Sequence, residues 1–302
     1  MLIESLCAKV YNVFILDEGF IMNIINAILN LVNHPVTQLV NDYQSRNRAN
    51  NAGDALEEYI KDLFAGTFDF AETERLEKLS QVFSYLGNNS NPPDAMLRCG
   101  DAIEVKKIEN ERAPLALNSS YPKHTVLASS PMISNACKEA EHWKEKDIIY
   151  TVGVVDKKTN NLKRLCMVYG LDYCASDECY RRIKETIKDG VESIPGIEFA
   201  QSRELGHINK VDPLGITYLR VRGMWGIQNP WSVFQYVYTH TVPTEFDFMC
   251  IINNEKWAKL ENTSALVELA NSNTNLRIQN VRIKNPDNPA RLRDAKLITF
   301  QI

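Results

Sequence analysis

The stretch from Pro93 to Lys107 constrains the fold of this chain more than any other, because it predicts a β-hairpin with charged residues on a largely apolar strand. It reads Pro-Asp-Ala-Met-Leu-Arg-Cys-Gly-Asp-Ala-Ile-Glu-Val-Lys-Lys. Side chains at positions i and i+2 of a strand share a face, so Glu104 and Lys106 are expected to point the same way. A three-residue turn around Gly100 would place Asp94 opposite Lys106 and diagonal to Glu104.

The predicted hairpin would bring two carboxylates and one ammonium group to a single point. This combination suits Mg²⁺-dependent phosphodiester hydrolysis, which needs hard oxygen ligands for the metal and a cation that offsets developing charge. The spacing alone is not specific, since a surface hairpin with a solvated Glu/Lys pair has the same pattern. The second strand is mostly apolar, with Ala102, Ile103, Val105 and Ile108. It is therefore expected to be buried, and buried charges need partners, which a metal and a phosphate would supply.

A predicted helix upstream of the hairpin offers a further carboxylate. Its apolar side consists of Leu56, Tyr59, Ile60, Leu63 and Phe64. Either Glu57 or Glu58, in the first turns of this helix, could supply another metal ligand. Both acids are equally well explained as solvated residues near a helix N-terminus, where the helix dipole favours negative charge.

The length and composition are those of an ordinary globular protein. At 302 residues, with 44% hydrophobic and 24% charged residues, the chain can bury one large core or two modest ones. No apolar run reaches the ~20 residues of a membrane span, and charged residues interrupt the apolar N-terminus, which argues against a signal peptide. The seven cysteines form no Cys-x-x-Cys pair. This pattern favours reduced thiols, and we expect a cytoplasmic protein.

Charge is distributed unevenly along the chain. Residues 1–102 contain 7 Lys/Arg and 14 Asp/Glu, whereas residues 103–302 contain 27 and 24. The stretch from Arg277 to Lys296 has six cations: Arg277, Arg282, Lys284, Arg291, Arg293 and Lys296. A basic surface on an acidic body suits an enzyme that holds DNA in one cleft. An uneven surface without a function would produce the same distribution.

The hydrophobic pattern predicts one mixed α/β domain with a sheet at its centre. The predicted helices are residues 22–64, interrupted at Pro35, then Ala71–Leu86, Ile133–Lys146, a helix capped by Ser176 that runs to Lys188, and Thr263–Ala270. Besides the hairpin, the predicted strands are Asp147–Val155, Leu165–Tyr169, Ile216–Val221, Val233–Thr239, Phe246–Ile252 and Leu297–Ile302. Leu115–Pro131 is predicted to be a loop.

Several blocks of unusual composition follow the hairpin. They are Leu117-Asn-Ser-Ser-Tyr-Pro-Lys123, Asp147-Ile-Ile-Tyr-Thr-Val-Gly153 with Trp143 before it, Leu165-Cys-Met-Val-Tyr-Gly170, Asn209-Lys-Val-Asp-Pro-Leu-Gly-Ile-Thr217, and Leu219-Arg-Val-Arg-Gly-Met-Trp225. With these blocks and the Pro-Asp…Glu-Val-Lys site, the chain from Met22 to the C-terminus resembles the NgoPII-type type II restriction endonucleases of the PD-(D/E)xK nuclease superfamily. These blocks are far more specific than the spacing of the acids and the lysine.

The resemblance implies an α/β fold of the restriction-endonuclease type, with a mixed central β-sheet flanked by helices. It implies a single nuclease domain over residues 22–302, which leaves residues 1–21 as an N-terminal extension of uncertain role. It further implies a Mg²⁺-dependent homodimer that cleaves both strands of double-stranded DNA at the palindrome GGCC, with a DNA methyltransferase that protects the host. By position, Asp94 and Glu104 match the metal-binding acids and Lys106 the catalytic lysine. Glu57 matches the helix acid of many superfamily members less securely.

Two further segments are candidates for contact with DNA. Reading G·C pairs in the major groove requires Arg or Lys at guanine, or an acceptor for the cytosine N4 proton. The first segment follows the catalytic strand and contains Asn118, Ser119, Ser120, Tyr121 and Lys123, although an ordinary capped turn would have a similar composition. The second is the strand flanked by Arg220 and Arg222. A palindromic target matches a two-fold dimer in which each subunit cuts one strand.

Two other functions are compatible with the same pattern. One is a repair or junction nuclease of the same superfamily that recognises DNA structure instead of sequence. The other is a catalytically inactive DNA-binding relative, against which the intact Asp94, Glu104 and Lys106 argue.

Overall fold

A computed structural model describes residues 21–44, 51–88, 91–195, 198–200, 204–240 and 243–302 of the chain. The extension predicted for residues 1–21 lies, apart from Ile21, outside the described residues. No helix in these ranges is long and apolar enough to cross a bilayer.

Ten helices, several of them a single turn, are present in the described ranges. In chain order they are α1 (Ile24–Asn33), α2 (Leu39–Gln44), α3 (Ala52–Ala65), α4 (Glu72–Val82), α5 (Asn135–Glu139), α6 (Gly170–Tyr173), α7 (Asp177–Glu192), α8 (Pro230–Val233), α9 (Asn254–Trp257) and α10 (Thr263–Ser272). The first three account for the long helical pattern predicted from residue 22 to residue 64, and Pro35 lies between α1 and α2 as expected.

The strands described form one large sheet, a three-stranded sheet and a two-stranded sheet. They are β1 (Phe83–Asn88), β2 (Asn91–Leu97), β3 (Ala102–Ile108), β4 (Leu115–Asn118), β5 (Thr125–Leu127), β6 (Glu145–Val155), β7 (Leu162–Tyr169), β8 (Glu198–Phe199), β9 (Gly206–Asn209), β10 (Leu219–Val221), β11 (Trp225–Ile227), β12 (Asp247–Asn253), β13 (Leu276–Asn285) and β14 (Asn288–Gln301). The large sheet has the order β1-β2-β3-β6-β7-β12-β14-β13, with β5 paired to β6 at the side. The strand pairs β3–β6 and β7–β12 are parallel and the others are antiparallel. The predicted fold class, a mixed central sheet flanked by helices, is confirmed.

The two faces of the large sheet bury separate cores. On the first face, α1 and α3 pack against alternate residues of the central strands, among them Ile103 and Ile149. On the second face, the neighbouring residues Ala102 and Tyr150 belong to a cluster that is covered by the irregular segments around α5 and α8. Because side chains alternate along a strand, Glu104 and Lys106 project toward this second face with Ala102.

Helix α3 packs closely on β6 at a glycine. A Cβ atom on Gly153 of β6 would lie 2.7 Å from Cδ2 of Leu56, so a larger residue there would force the end of the Leu56 side chain to move. The other side of α3 is fixed by Arg75 of α4, whose Nε donates to Oδ1 of the fully buried Asp62 at 2.7 Å. Tyr43 of α2 donates to the second oxygen of Asp62 at 2.8 Å. A hydrogen-bonded ion pair thus joins three helices behind the site.

Several predicted elements are wrong in extent or type. The helix predicted at Ala71–Leu86 ends at Val82, because the aromatic residues Phe83 and Tyr85 are buried in an edge strand paired to β2. The helix predicted at Ile133–Lys146 is reduced to α5, and β6 already begins at Glu145. The strand predicted at Val233–Thr239 is a helical turn followed by further turns, since Asn229 caps α8 and Pro230 starts it.

The predicted C-terminal strand is the end of a longer hairpin. Strand β14 begins at Asn288, well before the predicted start at Leu297, and pairs along its length with β13. The loop predicted for residues 115–131 likewise contains the short strands β4 and β5. Most residues in the outer half of the β13–β14 hairpin are polar and exposed. The alternation of apolar and polar residues that predicts a strand is therefore weak there.

Candidate active site

The hairpin β2–β3 forms with a register that differs from the prediction. The turn consists of Arg98, Cys99 and Gly100, since the N–H of Leu97 donates to the carbonyl of Asp101 at 2.9 Å. The turn is therefore centred on Cys99, which takes a left-handed φ of 55°, and not on Gly100. Moving the centre by one residue shifts the pairing by two.

This shift brings the two acids closer together than the prediction did. The last pair of the β2–β3 ladder is Ala95 with Ile103, so the next residues in register are Asp94 and Glu104. Asp94 is thus opposite Glu104 and diagonal to Lys106, the reverse of the expected arrangement. Tertiary contacts that the sequence does not reveal stabilise the turn, since Lys146 Nζ donates to the carbonyl of Gly100 at 2.6 Å.

The three predicted side chains converge. Nζ of Lys106 lies 2.6 Å from Oε1 of Glu104 and 4.0 Å from Oδ2 of Asp94. Oδ2 of Asp94 also accepts a hydrogen bond of 2.6 Å from the backbone N–H of Val105. Glu104 is 8% exposed, and its second oxygen, Oε2, is buried without a hydrogen-bond partner among the described residues.

Burial dominates the electrostatics of this site. Burial raises the pKa of Glu104 to about 7, and the charge of Asp94 adds to the effect against the opposing lysines. Burial also raises the pKa of Asp94, although Lys106 and the N–H of Val105 act to lower it. Burial would lower the pKa of Lys106, but Glu104 and Asp94 outweigh it and raise this pKa. Lys106 is therefore protonated at neutral pH.

The structure distinguishes the two helix acids. Glu58 is engaged by Lys61 and Arg75, each at 2.6 Å, and holds α3 to α4. Glu57 instead lines a small cleft together with Asp94, Lys61 and Val105. Burial raises the pKa of Glu57, and the charge of Asp94 raises it further. Glu57 therefore interacts with the charge of Asp94, whereas Glu58 is paired with Lys61 and Arg75.

The donor set fits a hard divalent cation. Asp94 and Glu104 present carboxylate oxygens, which Mg²⁺ prefers, and Oε2 of Glu104 lacks a partner in a buried position. Within the described residues, no three His, Cys, Asp or Glu side chains cluster closely enough to form a metal site by themselves. Asp94 and Glu104 therefore do not form a three-residue cluster with Glu57. Mg²⁺ commonly binds through one or two carboxylates and completes its shell with water and substrate phosphate.

The segment predicted to contact DNA leaves β4 and passes beside the site. Asn118 ends β4 with a φ of 50° and pairs with Trp225 of β11, and Ser119 is exposed. Tyr121 donates to Oδ1 of Asp177 at 2.7 Å, so its hydroxyl is held by α7. The two other candidates of this segment are Ser120, whose Oγ is buried without a partner among the described residues, and Lys123, which contributes to the electrostatics of Glu104.

The other candidates for DNA contact lie on a separate small sheet. Arg220 belongs to β10, which pairs with β9 and not with the large sheet. Nη2 of Arg220 and Nε of Arg222 lie 2.5 Å and 2.7 Å from Oε1 of Glu204, which shows that the two arginines share one face. Both guanidinium groups would have to leave Glu204 to reach a base. The chain then continues into β11 beside Asn118, so the two candidate segments adjoin at the β4–β11 ladder.

The basic stretch from Arg277 to Lys296 does not adjoin the hairpin. It forms the outer part of β13–β14, and the strands β6, β7, β12 and β14 separate β13 from β3 in the sheet order. Its tip reaches α7, since Asp287 Oδ1 accepts a hydrogen bond of 2.8 Å from the N–H of Ser176.

One residue near the site had no signal as a functional residue in the sequence. Tyr150 is the partner of Glu104 in the β3–β6 pairing, and its hydroxyl accepts a hydrogen bond of 2.7 Å from the N–H of Lys123. Only the parallel register of β3 and β6 brings Tyr150 to this place, and local periodicity does not encode that register.

Comparison with known proteins gives the family of the chain. The family model of the NgoPII restriction endonuclease matches residues 22–284, which include every predicted site residue. The type II restriction enzyme NgoPII of Neisseria gonorrhoeae is 60% identical over 281 residues, which cover 93% of this chain and 100% of that enzyme. No solved structure matches the chain. The chain belongs to the NgoPII family of type II restriction endonucleases and is a site-specific deoxyribonuclease.

Proposed function

We propose that the enzyme hydrolyses phosphodiester bonds of double-stranded DNA with Mg²⁺ bound at Asp94 and Glu104. The observation that carries this proposal is the buried Oε2 of Glu104, which lacks a partner among the described residues, beside the protonated Lys106. A buried carboxylate oxygen without a donor is unfavourable, and a divalent cation would satisfy it.

Each side chain then has a separate task. Asp94 and Glu104 would hold the ion, which when bound supplies Lewis-acid stabilisation of charge on the phosphate. Lys106 adds a fixed positive charge next to the same point and offsets the negative charge that develops on the phosphate oxygens. The N–H of Val105 fixes the orientation of Asp94, so the carboxylate needs little rearrangement when the ion and DNA bind.

The target proposed is the palindrome GGCC, as the family resemblance implies. Asn118, Ser119, Tyr121, Arg220 and Arg222 supply donors and acceptors of the kinds that G·C edges require. A homodimer would place one active site on each strand of a palindrome. A functionally linked DNA methyltransferase would protect the host genome, because every unmodified GGCC would otherwise be cut.

The test is to digest a plasmid of known sequence in Mg²⁺ and to sequence the ends. Ends confined to GGCC are expected, and sedimentation of the enzyme with a GGCC duplex is expected to give two protein chains per duplex. Ends at unrelated sequences, with preferential cutting of branched DNA, would instead support the structure-specific nuclease.

A further inference from the structure

A second lysine lies beside Glu104, and the roles assigned above do not use it. Lys123 is 7% exposed, and its Nζ lies 3.7 Å from the centre of the Tyr121 ring. Within the described part of the chain, no carboxylate or carbonyl hydrogen-bonds to this Nζ. A largely buried lysine whose ammonium group contacts an aromatic ring and forms no hydrogen bond retains the capacity to bind an anion.

Lys123 is anchored to β6, the strand next to the one that carries Glu104. Its backbone N–H donates to the hydroxyl of Tyr150, the residue that pairs with Glu104 across β3 and β6. The segment also needs the absence of a side chain at Gly170, where a Cβ atom would lie 2.4 Å from the carbonyl oxygen of Lys123. The backbone of Lys123 is therefore fixed by its contacts with the sheet and with Gly170.

The same segment carries a second unsatisfied group. Oγ of Ser120 is buried and lacks a hydrogen-bond partner among the described residues. Ser120 is three residues before Lys123, and the ring of Tyr121 between them is fixed by its hydrogen bond to Asp177. A lysine ammonium group and a serine hydroxyl, both without a hydrogen-bond partner among the described residues, are donors from which a phosphodiester could accept.

We propose that Lys123 and Ser120 form a phosphodiester-binding subsite next to the Asp94–Glu104–Lys106 centre, which takes a backbone phosphate of DNA whatever its base sequence. The proposal depends on the proposed function in one respect, namely that DNA binds next to Glu104. It assigns Lys123 and Ser120 to the backbone, whereas Tyr121, Asn118 and the arginines remain candidates for base contacts.

Burial is the reason for choosing the backbone. The major groove is about 8.5 Å deep, and a side chain must extend into it to reach a base edge. Lys123 is only 7% exposed and its Nζ lies 3.7 Å from the centre of the Tyr121 ring, so in this conformation the side chain does not project from the surface. Phosphates project from the duplex and can approach a recessed cation, and a lysine binds them as a compact point charge.

The experiment measures how the binding of two duplexes depends on salt, with Ca²⁺ in place of Mg²⁺ so that the DNA stays intact. One duplex contains GGCC and the other does not. For Lys123→Met, affinity is expected to fall about tenfold on both duplexes, as for one charge-assisted bond. The slope of log affinity against log salt is expected to decrease by about one, as for one lost phosphate contact.

Three variants serve as comparisons. Lys259→Met removes one exposed cation beyond α9 and is expected to leave both affinities and slopes unchanged. Ser120→Ala removes a neutral donor, so affinity is expected to fall severalfold with the full slope retained. Tyr150→Phe releases the anchor but keeps the charge, and a smaller loss with the full slope is expected. Thermal unfolding of each variant shows whether it is folded.

A methylphosphonate series identifies the phosphate. One neutral linkage at a time is placed along the GGCC duplex. At one position near the cleaved bond, the wild type is expected to lose affinity, while Lys123→Met loses nothing further.

A loss of affinity confined to the GGCC duplex would make Lys123 a base reader and overturn the proposal. An unchanged slope with lowered thermal stability would make Lys123 an internal counter-charge of Glu104 and also overturn it. If the enzyme does not cut GGCC, the slope on the other duplex still decides the question.

Discussion

The backbone N–H of Val105 donates to Oδ2 of Asp94 at 2.6 Å, across the point where β2 leaves β3. The ladder between these strands ends at Ala95 and Ile103, so the carboxylate replaces the backbone acceptor that a longer strand would have supplied. The hydrogen bond orients Asp94 opposite Glu104, where the two carboxylates would bind the proposed metal ion.

Replacing any of the three central side chains is expected to abolish cleavage without abolishing DNA binding. Asp94→Ala, Glu104→Ala and Lys106→Ala remove groups that act on the charge developing at the phosphate, and losses of at least about 100-fold in turnover are expected. Lys107→Ala is the matched control, because Lys107 lies on the other face of β3 and pairs with Glu109 at 3.0 Å. Single-turnover cleavage and anisotropy binding measure the two effects. A Lys106→Ala enzyme with wild-type turnover would contradict the site assignment.

Replacement by glutamine is expected to affect metal dependence at Glu57 and fold stability at Glu58. Glu57→Gln should raise the metal concentration needed for half-maximal cleavage and leave stability unchanged, because the raised pKa of Glu57 shows that its charge is already disfavoured. Glu58→Gln should destabilise the fold by about 1–3 kcal/mol, because Lys61 and the buried Arg75 lose a charged acceptor. Urea unfolding and metal titrations of the two variants separate these effects. Equal stability losses would show that Glu57 is structural too.

The sequence predicted which side chains converge better than it predicted their register. Asp94, Glu104 and Lys106 were identifiable because a strand places i and i+2 on one face. Their register was not identifiable, because Cys99 takes the left-handed turn position that the sequence led us to assign to Gly100. Lys146, which is distant in sequence, also binds that turn. The choice between Glu57 and Glu58 depends on Arg75, which lies on another helix. Information of this kind is tertiary and leaves no local pattern.

Cleavage is expected to require Mg²⁺ or Mn²⁺, while Ca²⁺ supports binding alone. The site offers only oxygen ligands, which favour hard cations, and the looser coordination of Ca²⁺ would misplace the attacking water. The measurement is cleavage and duplex affinity in each metal and in excess EDTA. Full activity in EDTA would exclude the proposed role of Asp94 and Glu104.

Metal binding to the DNA-free enzyme is expected to weaken as the pH falls below about 7. Burial raises the pKa of Glu104 to about 7, so below that pH a proton must leave before the carboxylate can bind a cation. Above it the affinity should level off. Calorimetric titration with Ca²⁺ in buffers of different ionisation enthalpy counts the protons released. A pH-independent affinity across this range would mean that Glu104 is not a ligand.

Cutting is expected to be confined to GGCC and to be blocked by cytosine methylation within it. A methyl group on cytosine C5 projects into the major groove and one on N4 removes a donor, so close contacts to either edge fail. A wrong base pair costs ~1–3 kcal/mol in binding, and AGCC has one such pair in one of its two half-sites. Cutting at sites such as AGCC should therefore fall steeply, most clearly at moderate salt, where binding to phosphates alone is weakened.

Arg220→Ala and Arg222→Ala should relax this discrimination if either guanidinium leaves Glu204 for a guanine. Lys123→Met should instead lower cutting at all sites alike. Sequencing the ends of genomic DNA digested with and without prior GGCC methylation measures both effects, and equal cutting of methylated sites would exclude direct reading of the cytosine edge.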